Sequence, residues 1–62
     1  MAQPDTLAAP AQVADRLQIP EKTLADWRYR GKGPRYLTLG KHVRYRWSDV
    51  DEWLRQQQAI PA

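Results

Sequence analysis

Arg30, Lys32, Arg35, Lys41, His42, Arg44 and Arg46 lie within one stretch, RGKGPRYLTLGKHVRYR, that contains no carboxylate. Cations at this density, interleaved with tyrosines, suit contact with a polyanion: a guanidinium fork meets phosphate oxygens two at a time, and lysine acts as a point charge. Reaction chemistry has less to draw on. The chain has no cysteine and a single histidine, and His42 lacks a second convergent ligand, so no metal site is expected. Ser48 and the carboxylates Asp49, Asp51 and Glu52 are accounted for by a helix start, where a hydroxyl caps and acids face the positive end of the dipole. With no thiol nucleophile, Gly-rich phosphate loop or His-supported serine, neither enzymatic activity nor a cofactor is expected.

The charge is unevenly placed. Residues 21–47 hold eight cations against Glu21 and Asp26, a net +6, whereas residues 1–20 carry −1 and residues 48–62 carry −2. A positive segment between acidic flanks fits a polyanion-binding surface on one self-contained domain; an ordinary solvated basic face is the competing reading of charge alone. At 62 residues the chain is one domain, with a small core and no disulfide to staple it. Three tryptophans and three tyrosines supply apolar area for that core. No run approaches the roughly 18 apolar residues of a membrane span, and MAQPDTLAAPAQ lacks a signal-peptide layout, so a cytoplasmic location away from membranes is expected.

These side chains need elements to position them. Residues 1–8 show no periodicity and read as a flexible arm; the domain is expected over 9–58, with a frayed end at 59–62. Residues 9–17 read as a short helix with Pro10 at its first position and Val13, Ala14 and Leu17 as its apolar stripe. Gln18-Ile19-Pro20 breaks it, and a second helix is expected over 21–30, closed by Gly31. Two short helices joined by three residues make a helix-turn-helix candidate. After the Gly31-Lys32-Gly33-Pro34 turn, 36–39 and 43–47 alternate as strands around a Gly40-Lys41-His42 turn. Leu37 and Leu39 share one face, and Val43, Tyr45 and Trp47 share another; all but Trp47 are expected to hold the hairpin to the core, with Lys41, His42, Arg44 and Arg46 left outside. A last helix is expected from Ser48, capped by its hydroxyl, with Val50, Trp53, Leu54 and Gln57 on its inner stripe.

On the second helix, Leu24 and Trp27 define the buried stripe, so Lys22, Asp26 and Tyr29 face outward, bordered by Ala25, Thr23 and Arg30, with Arg28 nearer the apolar edge. Such a face offers hydrogen bonds and a methyl to base edges in a major groove. Asp26 is better explained by an intrahelical ion pair, with Arg30 or with Lys22, than by a base contact. Trp27, Trp47 and Trp53 all fall on apolar stripes and read as core; Tyr36 is assigned to neither side.

In order along the chain, VADRL, TLADWR, GKGP and LGKHVRYRWSDVDEWL resemble the small winged helix-turn-helix domains of phage and prophage excisionases, or recombination directionality factors. These are related to the DNA-binding domain of MerR regulators and to AlpA-like prophage regulators. The resemblance implies an α+β winged helix-turn-helix fold: a helix-turn-helix, a two-stranded β-hairpin wing and a C-terminal helix. It implies a recognition helix contacting double-stranded DNA through Lys22, Thr23, Tyr29 and Arg30, with Arg28 on a phosphate, and a wing contacting it through Lys41, His42 and Arg44; Arg46 joins them as a phosphate candidate from its strand face. It further implies an excisionase that bends attachment-site DNA, acting with a phage-type integrase and neighbouring copies of itself, and a monomer in solution, since the chain ends soon after the third helix. An AlpA-like transcription regulator is the alternative role, and a basic adaptor for an acidic protein partner is the reading from a different class. Ala9 and Pro20 stand where such domains start their first helices with Ser or Thr, so two side-chain caps, each worth about 1 kcal/mol, are missing.

Overall fold

The computed structural model describes residues 6–58, with elements in the order β1 (Leu7–Ala8), α1 (Pro10–Leu17), α2 (Glu21–Tyr29), β2 (Leu37–Leu39), β3 (His42–Arg46) and α3 (Trp47–Gln56). Pro10 opens α1, where its missing N–H costs no helical bond. Ala9 offers no side-chain cap, but the Ala9 N–H donates to Gln12 Oε1 at 2.8 Å, which is the return half of a capping box. Gln18 ends α1 in the left-handed region, at φ 59. The N–H groups of Gln18 and Ile19 then close on the carbonyls of Asp15 and Ala14 at 3.1 and 3.0 Å, a Schellman arrangement built without glycine. Pro20 starts α2 with no side-chain cap, as the missing hydroxyl implies. Gly31, at φ 72, closes α2 in a second Schellman arrangement, with Lys32 N–H on the Trp27 carbonyl at 2.8 Å.

The sheet has three antiparallel strands in the order β1-β3-β2, not the two of a lone hairpin. Leu7 and Ala8, expected in a flexible arm, pair with Arg46 and Tyr45, and Ala8 is buried. The remainder of that arm, residues 1–5, and the frayed end expected over 59–62 lie outside the described residues. β3 is thus the central strand. Its other edge takes β2 with Leu37 opposite Arg44, Thr38 opposite Val43 and Leu39 opposite His42.

That register overturns the expected face of β2. The hairpin loop is the two residues Gly40-Lys41, with Gly40 at φ 65, and His42 already belongs to the strand. Directly opposed residues in an antiparallel pair share a face, so Leu37 and Leu39 lie with His42 and Arg44, away from Val43 and Tyr45. A three-residue loop would have put the leucines inward; one residue of register exchanges the faces completely. Leu7 joins the same outer face opposite Arg46, and Leu7 and Leu39 are about half exposed.

Ala8, Val13, Ala14, Leu24, Tyr45 and Val50 form the buried centre. The tryptophans are less central than their stripes suggest. Trp27 and Trp47 are half-buried against this core, and Trp53 packs its ring on Trp27 at a centroid distance of 5.3 Å. α3 begins at Trp47, one residue before the expected cap: Arg46 holds the capping position without a side-chain bond, and Ser48 lies within the first turn. The Trp47 N–H donates to the Thr6 carbonyl at 3.2 Å, extending the β1–β3 ladder to the first residue of the helix. With α1 and α2 as the helix-turn-helix, β2–β3 as the wing and α3 closing the core, the fold is a small α+β winged helix-turn-helix.

Candidate nucleic-acid interface

Burial of Leu24 against Val13 and Ala14 fixes the rotation of α2 and turns Lys22, Ala25, Asp26, Tyr29 and Arg30 to solvent. Tyr29 is 90% exposed, the most open large apolar side chain among the described residues. Asp26 pairs with Arg30, not Lys22: Arg30 Nε stands 2.9 Å from Asp26 Oδ2, one turn away. The pair anchors the Arg30 guanidinium on the outer face and leaves this part of the helix near neutral. Thr23 borders the face and is half-buried.

Arg28 has a structural partner. Its Nη1 donates to the Tyr45 hydroxyl at 3.0 Å, and its guanidinium lies 5.9 Å from the centroid of the Tyr36 ring. Tyr36 in turn packs on Tyr45 at 6.1 Å, so Arg28, Tyr36 and Tyr45 tie the end of α2 to the wing. The hydroxyl of a buried tyrosine needs such a partner, and Arg28 meets that need. The sequence signal was the position of Arg28 beside the apolar edge of its helix; its partner lies 17 residues away on another element.

On the wing, Lys41 sits at the hairpin tip and His42 at the start of β3, both exposed. Arg44 is half-buried and its Nη1 donates to the Val43 carbonyl at 2.7 Å. Arg46 pairs with Asp49 at 3.5 Å. His42, Arg44 and Arg46 therefore share one sheet face with Leu7, Leu37 and Leu39, a mixed cationic and apolar surface instead of a purely charged one.

Arg16 was not singled out from the sequence, yet it links α1 to α3. Its guanidinium lies 4.8 Å from the centroid of a Trp47 ring, and Nη2 is 3.4 Å from Asp51 Oδ1. On α3, Arg55 donates to Glu52 and its charge adds to that bond, holding the exposed Glu52 carboxyl below the usual range. A concavity of about 790 Å³ lies on the side of α2 that carries Trp27, lined by Leu17, Ile19, Trp53 and Leu54 with Arg16 and Lys32 at its edge. Among the described residues no cluster of His, Cys, Asp or Glu can hold a metal ion, and no helix is long and apolar enough to cross a membrane.

Residues 10–58 match a family model described as a helix-turn-helix domain. No match to a curated protein was found. The matched segment runs from the first residue of α1 to just beyond α3 and takes in the turn, the wing and the closing helix. By that match the chain belongs to the helix-turn-helix domain family.

Proposed function

We propose that this protein binds double-stranded DNA sequence-specifically, with α2 as recognition helix in the major groove and the β2–β3 hairpin as a wing on the neighbouring backbone. The observation that carries this reading is the outer face of α2. Tyr29, 90% exposed, stands there beside Lys22 and the Asp26–Arg30 pair. The outer face of the second helix of a helix-turn-helix is the one that meets base edges in a major groove. Under this reading Lys22, Thr23, Tyr29 and Arg30 meet bases and phosphates, while Lys41, His42, Arg44 and Arg46 follow the backbone. Selection from a random duplex pool tests it: Lys22→Ala and Tyr29→Ala change the preferred sequence, and an unchanged preference in both sinks the recognition-helix assignment.

The finer role we propose is that of an excisionase, non-catalytic, shaping attachment-site DNA for a phage-type integrase. The resemblance carried by VADRL, GKGP and VRYRWSDVDEWL supports it. An in vitro excision reaction that proceeds equally well without the protein rules this role out and leaves promoter binding as the use of the same surface.

A further inference from the structure

A concavity of about 450 Å³ separates the end of α2 from the base of the wing, and Arg28, Lys32, Arg35 and Arg46 line it with Tyr36 and Asp49. Four cations face one carboxylate. Arg46 already pairs with Asp49, so the local acid is answered, and Arg28, held by the neutral Tyr45 hydroxyl, keeps its charge; the two cations with no partner of their own are Lys32 and Arg35. Neither of these two side chains makes a hydrogen bond or ion pair among the described residues.

The loop that carries them is fixed on three sides. Lys32 N–H is committed to the Trp27 carbonyl at 2.8 Å, and Pro34 is buried. Gly33, at φ 87, passes so close to Trp27 that a Cβ there would stand 3.0 Å from the ring carbon Cε3. Lys32 and Arg35 are thus presented from a rigid turn. Like charges gathered around a concavity, on a preorganised backbone and without counter-charges of their own, form a site for an anion.

We infer that this concavity is a phosphate seat, filled by one DNA backbone phosphate lying between the groove read by α2 and the strand followed by the wing. Lys32 and Arg35 are its ligands; Arg28 and Arg46 supply field from behind them. The seat rests on the DNA-binding reading above. It adds a contact that fixes the register of helix and wing on the duplex, and it carries no base information.

The test uses the full chain and its Lys32→Ala/Arg35→Ala variant, with thermal unfolding as the control for folding, since both side chains are exposed. Duplex affinity is measured across a salt series. The variant binds several-fold more weakly at low salt, and its slope of log K against log salt is shallower by about 0.9, the value of one phosphate on B-DNA. Its ranking of duplex sequences stays that of the parent. A variant with the parent's affinity and slope, while Arg44→Ala lowers both, overturns the seat and leaves DNA binding standing. A parent chain that binds no duplex overturns both. The second arm titrates inorganic phosphate and follows the amides of residues 31–36. Shifts there that compete with duplex support the seat; phosphate binding that duplex neither competes with nor needs assigns the site to a free anion and overturns the DNA-backbone assignment.

Discussion

Tyr45 is the residue on which the core and the end of α2 meet. Its ring is fully buried among Ala8, Val13 and Leu24, while its hydroxyl accepts from Arg28 at the end of α2. Tyr45→Phe keeps the ring and strands the guanidinium, so it should cost about 1 kcal/mol in chemical denaturation, the net worth of one such bond. It should also loosen Arg28 without exposing the core. Gly33 is the second sensitive position. At φ 87, where a side chain is strained, and with a Cβ pressed to 3.0 Å from the Trp27 ring, Gly33→Ala should lower stability by about 2 kcal/mol through combined backbone strain and overpacking. Equal unfolding midpoints for Gly33→Ala and the parent would show that the loop is not held as described.

At the scale of elements, helix starts and strand register decide how the site is presented. α1 has a Gln12 that already accepts the Ala9 N–H, so Ala9→Ser completes the capping box and should raise stability by about 1 kcal/mol, read as a higher denaturation midpoint at unchanged slope. Leu39→Thr tests the register. On the outer face, where Leu39 is 49% exposed, it should change stability by no more than about 0.5 kcal/mol. Leu24→Ala, at the buried centre, should cost about 2 to 5 kcal/mol. Both early helices, the Gly31 stop and the hairpin were legible in the sequence because each rests on local chemistry: a proline at a first turn, a glycine past a last turn, alternation along a strand. The inward placement of Leu37 and Leu39 was misread because it depends on a single residue of loop length, and composition does not separate Gly40-Lys41 from Gly40-Lys41-His42. β1 escaped notice because two residues carry no period; only the free edge of β3 calls for them. The outward face of α2 was readable from helical rotation alone, whereas the Arg28–Tyr45 bond needed the tertiary fold.

Across the described residues as a whole, several acids are spent on local cations. Arg16–Asp51, Arg46–Asp49 and Asp26–Arg30 each neutralise one charge of either sign, and Arg55 answers Glu52. Lys22, Arg28, Lys32, Arg35, Lys41 and Arg44 keep their charge without a carboxylate partner among the described residues, and they spread from α2 through the loop to the wing. Such a surface predicts affinity governed by counterion release. The central claim is tested most directly by duplex binding of the parent and Arg44→Ala across a salt series. Log K should fall linearly with log salt, and Arg44→Ala should weaken binding to every sequence alike while reducing the slope by about 0.9. No measurable affinity for any duplex at low salt would contradict the DNA-binding account and favour an acidic protein partner.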